Sequence, residues 1–239
     1  MNTTLLYYTG HLPPESFLNR IRGNLLEEAD ELPIVSVSHQ PVNLGTNISI
    51  GEQRKCFYTA QKQILIGLDQ VITKYVVFCE DDTLYTYDHL HWIPPEDDTF
   101  YYNVNRWTCE PQFYWWASRM NQSQLICNTD LAKSYFNKRF QLVDGPDDPK
   151  LANFQEPGRT KSRYDRMFGF GAQKAIRVEI GDIPLVVFNL KTSLRGIRRV
   201  APNSKKTDTL PHWGNCRDLF YKFTGKTLME IFYGERKFS

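Results

Sequence analysis

Residues 74–85, KYVVFCEDDTLY, decide the fold. The apolar run from Tyr75 to Cys79 breaks into three carboxylates, Glu80, Asp81 and Asp82. Such a break predicts a buried strand whose C-terminal end emerges into a site. Side chains alternate along a strand, so Glu80 and Asp82 are expected on one face and Asp81 on the other. Carboxylates this close together are costly unless they are solvated or hold a hard cation. Mg²⁺ and Mn²⁺ are held by one or two carboxylates together with the phosphates of a substrate. A metal–diphosphate site at a strand end is therefore the economical expectation, and an acidic turn that merely follows a strand is the plainer one.

Upstream, Thr4 to Tyr8 is a strand pattern ended by Thr9-Gly10. Pro13-Pro14-Glu15 supplies helix-start chemistry, with proline in the first turn and an acid near the helix N-terminus. Phe17, Leu18, Ile21, Leu25 and Leu26 then follow at helical spacing. Ile34 to Val37 predicts a second strand, and Asn43 to Gly51, NLGTNISIG, a turn-rich loop. Phe57, Ala60, Ile64, Leu68 and Val71 mark a second helix before the acidic strand. The order β-α-β-loop-α-β implies an α/β fold with a mostly parallel central sheet flanked by helices. Ligands of such sheets bind beyond the C-terminal strand ends. Thr9-Gly10, Ser38-His39-Gln40 and Glu80-Asp81-Asp82 should share that rim.

Downstream the pattern is less regular. Phe100 to Val104, Phe113 to Ala117 and Gln124 to Cys127 read as strands, and Asn128 as the N-cap of a helix over LAKSYFNKRF. Val143 to Arg163 reads as a long surface loop, Pro184 to Asn189 as a last strand, and Lys191 to Lys206 as a basic, flexible segment. A short helix over Arg217 to Phe223 closes the fold, and no linker divides the chain into independent domains.

A chain of 239 residues can bury one large core. A charged fraction of 23% without low-complexity tracts or fixed-period repeats excludes a disordered chain and a solenoid. The net charge of +2 permits nucleic-acid binding without arguing for it. Cys56, Cys79, Cys109, Cys127 and Cys216 are odd in number and form no C-x-x-C pair. That argues against a disulfide framework or a structural zinc site. Cys56, Cys79 and Cys127 lie in apolar runs and are expected in the core. MNTTLLYYTG lacks the features of a signal peptide, and no run approaches a membrane span. The expectation is a soluble, cytoplasmic protein.

Taken together, these pieces resemble the nucleotide-sugar glycosyltransferases of the GT-A fold, with Glu80-Asp81-Asp82 similar to that superfamily's D-x-D motif. VSVSHQPVNLGTNISIG, QKQILIGL and KYVVFCEDDTLY, in that order, resemble a group of small phage and bacterial glycosyltransferase-like proteins. The resemblance implies a single GT-A-like, Rossmann-like domain over 1–239. Residues 1–98 would hold the nucleotide sugar, and residues 99–239 would shape the acceptor site and carry the basic C-terminal segment. It implies Asp82 as a direct ligand of Mn²⁺ or Mg²⁺ and Glu80 on the ribose or on the metal through water. Asp81 would face the sugar. Thr9 and Ser38 would line base and ribose, and Asn47 would border the nucleotide, although ordinary turn and cap roles fit these three residues equally well. UDP is the commonest donor nucleotide of that superfamily. The acceptor would be a glycan, another hydroxyl or a modified base in phage DNA, and a phage-encoded chain would work in the host cytoplasm.

Sugar transfer needs cations at the departing diphosphate. Lys191, Arg195, Arg198 and Arg199 follow the last strand and are candidates, with a solvated basic face as the plainer reading. An inverting enzyme also needs a carboxylate base on the acceptor hydroxyl, for which Asp165 and Glu156 are candidates. Many GT-A enzymes supply a late histidine to the metal. Here Asn189 stands in that place, and His212 is the possible substitute. His89 and His91 beside Asp88 raise a rival His-based metal site. The FYWWA aromatics fit either a strand buried on both faces or a stacking surface. A non-catalytic nucleotide-sugar-binding module and a metal-dependent nucleotide-sugar hydrolase are the alternatives to a transferase.

Overall fold

The computed structural model describes residues 1–116, 119–153, 156–158, 169, 173–190, 200 and 203–226. In chain order, β1 (Thr3–Thr9), α1 (Glu15–Ala29), β2 (Ile34–Ser38), β3 (Thr46–Ser49), α2 (Phe57–Gln70) and β4 (Tyr75–Glu80) come first. Then come β5 (Thr83–Leu84), α3 (Tyr87–His91), β6 (Phe100–Asn103), β7 (Arg106–Cys109), β8 (Tyr114–Trp116), β9 (Leu125–Asn128) and α4 (Thr129–Phe140). The chain continues with β10 (Ala175–Val178), β11 (Leu185–Phe188), β12 (Lys205–Thr207), β13 (Thr209–Leu210), β14 (Gly214–Asn215) and α5 (Cys216–Thr224).

The larger sheet has seven strands in the order β10-β6-β9-β4-β1-β2-β3. β1 runs parallel to β2 and β4, and β2 parallel to β3. β9 is the reversed strand, antiparallel to both β4 and β6, while β10 runs parallel to β6. The expected α/β class with a mostly parallel central sheet is what the chain adopts. Strands from after residue 99 complete this sheet.

Alternation along the central strands sorts the core into layers. Leu6 and Tyr8 of β1 and Val76 and Phe78 of β4 pack against Ile64 and Leu68 of α2 and Ala132 and Phe136 of α4. Leu5, Tyr7, Val77 and Cys79 face the other way, towards Leu25 and Ala29 of α1 and Leu90 of α3. Phe17, Leu18 and Ile21 of α1 meet Leu84, Val186 and Phe188 of a five-stranded sheet, β12-β8-β7-β11-β5, and Phe220 and Phe223 of α5. Each fully buried side chain of this size contributes about 1.5–3 kcal/mol. Asn128 caps α4 as expected, accepting from Asp130 N at 2.9 Å and Leu131 N at 3.2 Å. No helix among the described residues is long and apolar enough to cross a membrane.

The structure departs from the sequence pattern at several places. The Asn43–Gly51 loop contains β3, an edge strand. Its return path after β2 is short because Gly45, at φ 58°, passes so close to Ile34 that a Cβ would lie 2.1 Å from the Ile34 carbonyl oxygen. β7 and β10 were hidden by short, partly polar sequences. Pro184–Asn189 holds β11 but not the last strand, because Lys205–Thr207 pairs with β8. Lys205 and Lys206 lie over the rings of Trp116 and Phe113 at 5.2 and 5.0 Å, so their stems pack on aromatic faces. Tyr114 and Trp115 are fully buried, which decides FYWWA in favour of a core strand. All five cysteines are free, and Cys56 is half-buried rather than in the core.

His89 sits in the core instead of a metal site. It is fully buried and stacks on Tyr85 at 5.7 Å, and the Asn103 amide donates to its Nδ1 at 3.4 Å. His91 stacks on Tyr87 at 3.9 Å. Burial pushes the His89 pKa down from 6.5 to about 3, so the folded state keeps the imidazole neutral. The unfolded chain binds a proton below its ordinary pKa, so this group's contribution to stability falls as pH drops from about 6.5 towards about 3. The expected slope is about 1.4 kcal/mol per pH unit. Urea unfolding from pH 7 to 4 should show that extra slope in wild type and not in His89→Gln.

Candidate functional site

The C-terminal rim of the larger sheet opens into a cleft. Tyr8 and Gly10 come to it from β1 and the turn after it, His39 from the end of β2, and Glu80, Asp81 and Asp82 from the end of β4. The first turns of α2 form one side, with Lys55, Cys56 and Thr59. Asn121 and Gln122, Arg139 of α4, and Glu156-Pro157 form the opposite wall. The strand ends therefore share a rim, as the βαβ pattern requires.

The carboxylates do not alternate. β4 stops at Glu80, Asp81 and Asp82 form a turn, and all three border the same cleft. Each is held by a different neighbour. Tyr8 OH donates to Glu80 Oε1 at 2.9 Å, and Glu80 N donates to Tyr85 OH at 2.8 Å. The Thr9 hydroxyl donates to Asp81 Oδ2 at 2.5 Å. The Thr83 hydroxyl donates to Asp82 Oδ1 at 3.1 Å, and Phe188 N donates to the Asp82 carbonyl at 2.8 Å. That last bond ties the acidic turn to β11 of the second sheet. Burial, reinforced by the adjacent Asp82, pushes the Asp81 pKa up to about 7, against the opposing pull of the Thr9 hydrogen bond.

Three of the residues expected at the nucleotide are engaged within the protein instead. Thr9 is buried, and besides holding Asp81 it accepts from His11 N at 3.0 Å. The Ser38 hydroxyl donates to the Gln40 carbonyl at 2.6 Å. Asn47 Nδ2 donates to Ser36 Oγ at 2.9 Å and Ser38 Oγ at 3.0 Å, and its Oδ1 accepts from Val42 N at 3.1 Å. None of the three is among the cleft-lining residues.

Of the two candidate bases, Glu156 is buried and lines the cleft. Its loop is fixed by the Tyr102 hydroxyl, which donates to the Pro157 carbonyl at 2.8 Å. Gly158, at φ 67°, packs where a Cβ would meet Ala175 Cβ at 2.4 Å. Asp165 lies outside the described residues, as do Lys191, Arg195, Arg198 and Arg199. Leu190, immediately before that basic run, borders the cleft. His212 is exposed in the turn between β13 and β14 and is not a cleft residue. Asn189 donates its amide to Glu110 and is likewise not among the cleft-lining residues. No group of three or more His, Cys, Asp or Glu among the described residues is placed to hold a metal by itself. The donor set is thus one of hard carboxylate oxygens that suits a cation whose other ligands come from substrate phosphate and water.

Several cleft residues escaped sequence reasoning. Gln63 Nε2 donates to the carbonyls of Thr9 at 2.8 Å and Val37 at 3.2 Å, joining the ends of β1 and β2. His39, by contrast, lies on the rim where the sequence pattern put it; it is 2% exposed with neither ring nitrogen paired, and burial lowers its pKa. Arg139, in the last turn of α4, has the look of an exposed cation at a helix C-terminus. It is instead 2% exposed and lies over the Tyr135 ring at 5.1 Å. The available signal was polar residues, Thr59, Gln61 and Gln63, on a helix face that also carries Ile64 and Leu68.

Fold and site together define a mixed α/β protein with an acidic cleft at the C-terminal edge of a largely parallel sheet. No family model and no curated protein matches the sequence. Among solved structures the chain is similar to a glycosyltransferase involved in the glycosylation of the major capsid of PBCV-1. The identity is 12%, over 78% of this chain and 92% of that one, with a TM-score of 0.48. It is similar to the mannosyltransferase PcManGT from Pyrobaculum calidifontis in complex with GDP-Man and Mn²⁺, at 15% identity over 78% of this chain and 56% of that one, TM-score 0.46. It is also similar to the bifunctional IspDF from Campylobacter jejuni, at 10% identity over 75% and 50%, TM-score 0.41. At these identities no residue's role is carried over.

Replacing Thr9 tests how the acidic turn is held. Thr9→Val should lower stability by about 1.5–3 kcal/mol, the range for a hydrogen bond to a charged group. Thr9→Ser should retain most of it, as read by urea unfolding at pH 8.

Proposed function

We propose that this chain is a glycosyltransferase of the GT-A kind, moving a sugar from a nucleotide-sugar donor to an acceptor hydroxyl. One observation carries the proposal: Glu80, Asp81, Asp82 and Glu156 border a single cleft at the C-terminal rim of a largely parallel sheet. Binding in such a place is the rule for sheets of this type. Residues 1–98 supply the donor side and residues 99–239 the acceptor side and Glu156.

Asp82 and Glu80 would hold Mn²⁺ or Mg²⁺, which when bound neutralises charge on the departing diphosphate. Tyr8 and Thr9 keep Glu80 and Asp81 oriented through their hydroxyl hydrogen bonds. Glu156 takes the proton of the acceptor hydroxyl as that oxygen attacks the anomeric carbon. The bond from this carbon to the diphosphate oxygen breaks, and its electron pair leaves with the diphosphate, giving inversion. Burial of Glu156 favours transfer over hydrolysis by limiting water at the reacting carbon. Asp165 is the other candidate for this proton transfer. Lys191, Arg195 and Arg198 are proposed to meet the diphosphate from the segment that follows Leu190. The donor nucleotide is proposed to be UDP, the acceptor a glycan or a base in phage DNA, and the location the cytoplasm.

Thermal-shift and calorimetric titration with UDP, GDP and their sugars, with and without Mn²⁺, tests the donor site. Wild type should be stabilised by one nucleotide sugar in a Mn²⁺-dependent way, and Asp82→Ala should lose that shift. Absence of a shift with every nucleotide sugar would remove the glycosyltransferase reading. With an acceptor in hand, Glu156→Gln should lower turnover by about 10²–10⁴-fold and leave donor affinity within about 2-fold. An unaffected Glu156→Gln with an inactive Asp165→Asn would transfer the role to Asp165. Tight donor binding without turnover would identify a binding module, and rapid donor hydrolysis a hydrolase.

A further inference from the structure

We infer that Asn121 and Gln122 form a sugar-reading subsite, donating their side-chain amide N–H groups to hydroxyl or acetamido carbonyl oxygens of a pyranose. The inference rests on the sugar-transfer reading of the same cleft and names the part of the substrate that meets this wall.

Both residues line the cleft, on the wall that also carries Phe136, Arg139, Glu156 and Pro157. Asn121 is 8% exposed and stands at the start of a 3-10 turn over Gln122–Gln124. Gln124 N donates to the Asn121 backbone carbonyl at 3.0 Å, and Gln124 Oε1 accepts from Asn121 N at 2.8 Å. Gln124 is itself pinned, since its Nε2 donates to the Asn103 carbonyl of β6. The Asn121 backbone is thus held, and its Nδ2 is buried without a partner. Gln122 is half-buried, and its Nε2 is also buried and unpaired. Two neighbouring amide donors that are screened from water and unmatched on the protein are uncommon. Each gains a hydrogen bond when a ligand oxygen reaches it.

The surroundings select what that ligand is. Glu80, Asp81, Asp82 and Glu156 border the cleft, as do the cations Lys55 and Arg139. A ring hydroxyl can accept from an amide N–H while donating to a carboxylate, so it satisfies both kinds of group at once. An anionic ligand can accept from the amides but meets repulsion from the carboxylates. The chemistry recognised is therefore a neutral polyhydroxylated ring, belonging either to the donor sugar or to a sugar of the acceptor.

The test uses the full chain and two variants. Asn121→Asp keeps the side-chain shape and removes the amide donor. Gln122→Met removes the second donor at a half-buried position. Calorimetry compares UDP with UDP-glucose and UDP-GlcNAc, and GDP with GDP-mannose, all with Mn²⁺. Saturation-transfer NMR reads a monosaccharide panel of glucose, galactose, mannose and GlcNAc. Both variants should weaken the nucleotide sugar that wild type binds by about 10-fold, leaving the parent nucleoside diphosphate within about 2-fold. That outcome assigns the subsite to the donor sugar. Unchanged nucleotide-sugar affinity with lost monosaccharide binding assigns it to the acceptor sugar. Folded variants that bind both ligand classes like wild type overturn the subsite and leave the transferase reading standing. A wild type that binds monosaccharides through Asn121 and Gln122 but no nucleotide keeps the subsite and removes the transferase reading. A wild type that binds neither class overturns both.

Discussion

Three carboxylates at the end of one buried strand impose the constraint around which the rest of this molecule is arranged. Negative charges held this close raise one another's energy, and burial adds to the penalty. The chain meets the constraint in part with a separate hydroxyl donor for each carboxylate. Tyr8 on β1 serves Glu80, Thr9 serves Asp81 and Thr83 serves Asp82. Because β1 and β4 are adjacent and in register, Tyr8 stands directly opposite Glu80. The parallel pairing that builds the core therefore also builds the support for the site.

The same turn joins the two sheets. Phe188 N donates to the Asp82 carbonyl, and β5, immediately after the turn, pairs with β11. α1 packs its Leu25 side on the larger sheet and its Phe17 side on the smaller one. Displacement of the acidic turn would thus be felt in the β11 register and in α1 packing. This gives a physical reason for a rigid strand-end rim, while the residues that bring substrate chemistry from the other wall sit on a 3-10 turn, on a helix end and in a Pro-Gly loop.

That division separates what each wall can do. The strand-end wall is acidic and internally hydrogen-bonded, which suits a hard cation with its phosphates. The opposite wall carries Glu156, Arg139 and two amides whose nitrogens are unpaired.

The sequence by itself determined the class of fold, the places of β1, α1, β2, α2, β4 and α4, and the acidic triplet at a strand end. These follow from apolar periodicity and from capping residues such as Asn128, which act over a few neighbouring positions. β3 was not legible, because a four-residue edge strand, TNIS, within a turn-rich stretch is fixed by Asn47 bonding to Ser36 and Ser38 and by the close pass of Gly45 against Ile34. Nor was the collapse of the expected alternation at Glu80, Asp81 and Asp82, because the strand ends where the tie to Phe188 begins, more than a hundred positions later in the chain. Thr9 and Ser38 end strands as the pattern implied, and Asn47, expected in a loop, lies inside β3; which of their bonds face inward depends on partners in other strands. Gln63, Asn121, Gln122 and Arg139 joined the cleft only through tertiary packing. A polar side chain carries no local signal of whether it meets solvent, backbone or a ligand, and only the assembled sheet and helices decide that.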